Sequence, residues 1–215
     1  MLGRDPLDVF SFGPNKLQRI QYLVHLYFIL NARMIESMSA RTLQTFEQFE
    51  QYHDDGMKHV LLKGEHIVVP PPKFRHTRIQ QRIQDALRPY VRDRGIGEVH
   101  IEAGFKLSPN SWLQPDLSVV RTAQLDVSRT ADYLLGGPAI AIEVASESNT
   151  AAQLDAKMDL YFAHGSEEVW VVYPERRTIV VHRPDGTSRT VEANAEVRSD
   201  VLPGWSVAVD SLFEG

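Results

Sequence analysis

Pro138-Ala139-Ile140-Ala141-Ile142-Glu143-Val144-Ala145 is a short apolar run with one charge in it. Its length and its branched residues read as a buried strand. Successive strand side chains point to opposite faces. Ile140, Ile142 and Val144 therefore share one face, and Glu143 lies on the other with Ala139, Ala141 and Ala145. An unpaired charge in such a strand is costly to bury, so Glu143 needs a partner. Upstream, Pro115-Asp116-Leu117-Ser118-Val119-Val120 has the same character. Leu117 and Val119 go one way; Asp116 and Ser118 go the other. If the two strands are neighbours, Asp116 and Glu143 come close together. Two carboxylates at ~4 Å repel by about 4 kcal/mol at an effective dielectric near 20. Such a pair shares a proton or binds a cation.

Downstream, Thr150 to His164 has a helical pattern, with Gly165 just past its end. At 100° per residue, Lys157 falls on the edge of the face marked by Leu154, Met158 and Tyr161, while Asp155 and Asp159 point to the polar side. A lysine aimed inward from the helix after the glutamate strand can reach the carboxylate pair. Beyond it, Val169–Tyr173 and Thr178–His182 read as strands, and Pro184-Asp185-Gly186 as a turn into Ser188–Glu192.

Before the aspartate, Glu98–Lys106 and Pro115–Arg121 read as strands. Phe74 to Arg94 is the clearest helix, with Ile79, Ile83, Leu87 and Val91 on every fourth position. Pro89 is expected to kink it or end it early. Lys58–Leu62 and His66–Val69 flank Lys63-Gly64 as a hairpin, and Thr42 is expected to cap a helix running to about His53. Strands and helices alternate, with hairpins at both ends. That order predicts an α/β fold with a mixed central sheet flanked by helices. Residues 1–38 differ from the rest, with Gly3, Pro6, Gly13 and Pro14 ahead of a short apolar segment. They read as an N-terminal extension, either a helix on the domain or a start placed ahead of Met34 or Met38. The domain is expected at 39–215.

Composition narrows the chemistry. The 215 residues include no cysteine, which excludes disulfides, thiolate metal sites and cysteine nucleophiles. That usage is compatible with the cytoplasm. Any metal must be held by oxygen or imidazole, which favours hard ions such as Mg²⁺ or Mn²⁺. The longest apolar run near the start, Ile20 to Leu30, is too short to span a membrane. Net charge is −5, so there is no global attraction to nucleic acid. The helix from Phe74 supplies a local one: Arg75, Arg78, Arg82, Arg88 and Arg92 lie opposite its isoleucines, where a phosphate backbone would be drawn. A solvated helix face is the alternative. His76 falls on the inward side near the helix start, as a site residue or a hydrogen-bonded core histidine.

The order Pro115-Asp116, Glu143-Val144-Ala145 and then Lys157 resembles the PD-(D/E)xK nucleases, in the variant whose lysine has moved to the following helix. More narrowly, the chain resembles the Uma-two family of restriction endonucleases. The similarity is carried by Leu62-Lys63-Gly64-Glu65, His76, Gln114 to Val120, Ile142 to Ser146, Asp155 through Lys157 and Tyr161 to Val172, and Leu202-Pro203-Gly204-Trp205. It implies a restriction-endonuclease-like domain that cleaves nucleic acid, DNA before RNA. It implies Asp116, Glu143 and the Val144 carbonyl as holders of Mg²⁺ or Mn²⁺, and Lys157 and His76 as further catalytic residues. Two departures stand out. Ala145 takes the usual lysine position, and Val60 takes that of a glutamate the family often carries before the hairpin turn. Two rivals follow: an inactive nucleic-acid-binding module, and an interaction domain in which the carboxylates only pair with Lys157. A homodimer is left open.

Overall fold

A computed structural model of the protein describes residues 43–52, 55–128, 133–146 and 150–214. The expected extension, residues 1–38, lies outside them, as do Thr42 and His53. In chain order the first elements are α1 (Phe46–Phe49), β1 (Lys58–Leu62), β2 (Glu65–Val69), α2 (Phe74–Asp93), β3 (Gly97–Ile101), β4 (Phe105–Ser108) and β5 (Ser111–Leu113). Then come β6 (Leu117–Arg121), α3 (Thr122–Ser128), β7 (Leu134–Leu135), β8 (Ile140–Val144), α4 (Ala151–Ala163), β9 (Glu168–Tyr173), β10 (Thr178–His182) and β11 (Ser188–Val191). A hairpin of β12 (Glu196–Arg198) and β13 (Ser206–Ala208) and a 3-10 turn at Asp210–Leu212 close the chain.

The run around Glu143 becomes β8, buried at every position. It sits inside a six-stranded sheet of order β11-β10-β9-β8-β6-β3. β8 pairs with β6 antiparallel and with β9 parallel, so the sheet is mixed. α4 makes the parallel crossover, since two parallel strands cannot be joined by a tight turn. Ile79, Ile83, Leu87 and Val91 of α2 pack on Val99, Leu117, Val119, Ile140 and Ile142. Each such buried side chain contributes about 1.5–3 kcal/mol. The other face carries Val120, Ala141 and Val169, packed with Phe105, Leu113, Leu160 and Tyr161. A second sheet, β2-β1-β5-β4-β7, supplies part of that cover. Its β1–β2 hairpin turns on Lys63 (φ 52) and Gly64 (φ 84), the pair of positive φ angles that a two-residue turn needs.

Several boundaries differ from the sequence reading. α1 starts at Phe46 under a capping box from Thr45 and Gln48, later than a helix capped by Thr42 would, and Leu43 is exposed. α2 runs through Pro89 to Asp93. Pro89 and Asp85 are both exposed, so the Asp85 carbonyl freed by the missing N–H faces water. The single strand expected over Glu98–Lys106 is two strands in different sheets. The break falls at Glu102, whose φ is 52, and at Gly104, where a Cβ would come within 2.4 Å of the Trp112 ring. Ala139 packs with the α2-side cluster, because it precedes β8 and does not follow its alternation.

Candidate active site

The register of three neighbouring strands creates a row of carboxylates. Ile101 stands opposite Leu117, and Leu117 opposite Ile142. One step further along that row come Glu102, Asp116 and Glu143. The Glu102 N–H donates to the Asp116 carbonyl at 3.3 Å. The Val144 N–H donates to Asp116 Oδ2 at 2.7 Å, which ties the aspartate to the end of β8.

Glu143 is only 3% exposed. Lys157 Nζ donates to its Oε2 at 2.8 Å, and the Tyr161 hydroxyl donates to its Oε1 at 2.8 Å. α4 places both donors: Thr150 and Gln153 form a capping box at its start, and residues four apart share a helix face. Burial and the adjacent Glu143 carboxylate push the Tyr161 hydroxyl well above its ordinary range, so it remains a donor.

Asp116 has two further neighbours. His76 Nε2, from the first turn of α2, lies 3.3 Å from Oδ2. Lys58 Nζ, from β1, lies 3.3 Å from Oδ1 and 3.2 Å from Glu102 Oε1. Burial pushes Asp116 upward, but the His76 hydrogen bond, the Lys58 charge and the Val144 N–H outweigh it and hold the carboxyl at about 2. Burial pushes the Lys58 ammonium downward, and Asp116, Glu143 and Glu102 together outweigh that and raise it.

The depressed Asp116 value has a consequence for acid stability. A carboxyl lowered from 3.8 to about 2 on folding stabilises the protein above its unfolded value and ceases to do so as pH falls through the folded one. About 2 kcal/mol is expected to disappear between roughly pH 4 and pH 2. Acid unfolding followed by circular dichroism should show that loss in the wild type and not in Asp116→Asn.

Residues 45–210 match the Uma2 family model, described as "Putative restriction endonuclease". The chain belongs to the Uma2 family. Its fold is also that of a solved protein from Anabaena variabilis ATCC 29413, described as "a putative nuclease belonging to DUF820". The two share 20% identity over 79% of this chain and 97% of that one, with a TM-score of 0.72. No curated protein matches. The α/β architecture expected from the sequence is thus the Uma2 one. Among the described residues, no helix is long and apolar enough to cross a membrane.

The Uma2 fold brings Asp116, Glu143, Lys157 and His76 into one cluster, with Val144 joined to it through its N–H. Arg75 is drawn aside: it bonds Glu175 at 2.7 Å and the Pro174 carbonyl at 2.6 Å. Arg78 leans over the Phe74 ring at 5.8 Å, and Arg82 is half-buried. Val60 is buried among Leu62, Phe105 and Leu113. Sequence reasoning missed Lys58 and Glu102. Lys58 carries the signal that revealed Lys157, a lysine on the inward side of an element, because it alternates with buried Val60 and Leu62. Glu102 was hidden by being read inside a continuous strand.

The donor set of this Uma2 site suits a hard divalent ion: three carboxylates in one row and no sulfur. Among the described residues, no three His, Asp or Glu groups converge tightly enough to hold an ion as they stand. Two ammonium groups sit against the row, Lys157 on Glu143 and Lys58 between Asp116 and Glu102.

Proposed function

We propose that the chain is a divalent-metal-dependent endonuclease that hydrolyses phosphodiester bonds, with DNA as substrate. The observation that carries this reading is the register of Asp116 beside Glu143 with Lys157 at 2.8 Å from the glutamate. Nothing in a purely structural sheet requires carboxylates at the adjoining ends of two buried strands. Asp116, Glu143 and the Val144 carbonyl would hold Mg²⁺ or Mn²⁺. Such an ion supplies Lewis acidity towards a phosphoryl oxygen and the attacking water. Lys157, fixed by Glu143, donates to negative charge that develops on the phosphate. Tyr161 keeps Glu143 oriented. His76 positions the substrate or moves a proton beside Asp116. Residues 39–215 are the nuclease domain in this reading, residues 1–38 an extension, and the cysteine-free chain works in the cytoplasm.

With a net charge of −5, attraction to DNA must be local. The α2 arginines are the candidates, Arg78 and Arg82 ahead of the tethered Arg75. Replacing Arg78 and Arg82 with alanine is expected to weaken duplex binding and to reduce the salt slope of log K by about 1 for each phosphate that is no longer neutralised. Fluorescence anisotropy across a salt series measures this, and an unchanged slope would place the DNA elsewhere.

The function is tested by incubating supercoiled DNA and labelled RNA with Mg²⁺, Mn²⁺ or EDTA, using wild type and Glu143→Gln. Metal-dependent cleavage that disappears in the variant is expected. Two features favour a second reading, an inactive binding module: Val60 stands where the resemblance implies a glutamate, and Lys58 sits against the carboxylate row. It is the outcome if the protein binds DNA and cleaves neither polymer with any metal.

A further inference from the structure

We propose that the Lys58 ammonium is a built-in cation that takes up the Asp116 side of the divalent-ion position, against Glu102, so that the ion binds only when Lys58 swings out. This rests on the metal-nuclease reading above and adds a gate and a ligand, Glu102, to it. Lys58 does not belong to the strands that form the row. It reaches over from β1 in the other sheet, with its stem on the side of buried Val60 and Leu62. Its Nζ lies 3.2 Å from Glu102 Oε1 and 3.3 Å from Asp116 Oδ1, near-equal distances that describe one cation shared by two carboxylates.

The charges account for its presence. Glu143 has Lys157 and Tyr161 to itself. Without Lys58, Asp116 and Glu102 would face each other as like charges, with His76 and the Val144 N–H both on Asp116. A dication entering beside Lys58 would meet a third positive charge in the same few ångströms, so the two exclude one another. Lys58 can leave, because a lysine is a point charge on a flexible stem. The path is on the Glu102 side, where that side chain is 38% exposed. Glu102 is held for the purpose by its backbone: φ is 52, uncommon for a residue other than glycine, and its N–H bonds the Asp116 carbonyl.

The test is a Mn²⁺ titration, with free ion read by electron paramagnetic resonance, on wild type, Lys58→Met and Lys58→Met/Asp116→Asn. Each protein is first shown to be folded by near-ultraviolet circular dichroism. Lys58→Met is expected to bind Mn²⁺ at least about ten-fold more tightly than wild type, and the double variant is expected to lose that gain. If Lys58→Met does not fold, Lys58→Gln, which keeps a donor for Asp116, gives the same comparison. Equal or weaker binding by the Lys58 variant, with wild type binding, would overturn the gate and leave the metal reading standing. No binding by any folded protein would overturn both.

Discussion

Glu143→Ala is expected to destabilise the protein by about 3–5 kcal/mol, because it strands a buried ammonium. Lys157 and Tyr161 are themselves buried and both spend their polar atoms on Glu143. For a chain of this size that corresponds to a fall in Tm of about 6–20 °C. Glu143→Gln should cost much less, since the amide oxygen can still accept from one of the two donors. Thermal melts of both variants measure the difference. A Glu143→Ala shift within the range of a surface change, about 0.5 kcal/mol, would mean that the triad is not held as described.

Asp116→Asn should leave the fold and the DNA affinity close to wild type while lowering the cleavage rate by about 10²–10³-fold, the scale for removing one electrostatic element of a catalytic site. The asparagine oxygen can still accept the Val144 N–H that Asp116 takes at 2.7 Å. What it removes is the negative charge that a cation in the row requires. Single-turnover cleavage and anisotropy on the same preparation separate the two effects. A variant that cuts at the wild-type rate would show that Asp116 serves packing alone.

Much of this site was legible in the sequence because alternation is a reliable guide inside buried strands. Glu143 among Ile142, Val144 and Ala141 could face only one way, and the β6–β8 register sets Asp116 beside it. Lys157 followed from helical periodicity, and the capping box at Thr150 fixes the phase of that helix. What was not legible came from backbone geometry and from the meeting of distant segments. Glu102 reaches the row because its left-handed φ ends β3 there, and nothing in Glu98–Lys106 announces a break before Gly104. Lys58 meets Asp116 across 58 residues of chain, a pairing that depends on how the second sheet lies against the first. The same limit explains Arg75: its position on the helix face was clear, but its capture by Pro174 and Glu175 was not.

The most direct test is a calorimetric titration of Mg²⁺ and Mn²⁺ into wild type, Asp116→Asn and Glu143→Gln, with each protein shown to be folded. Saturable binding by wild type that both substitutions abolish is the expected result. Binding of equal strength in all three, or none in wild type even with an oligonucleotide present, would contradict a metal site at Asp116 and Glu143.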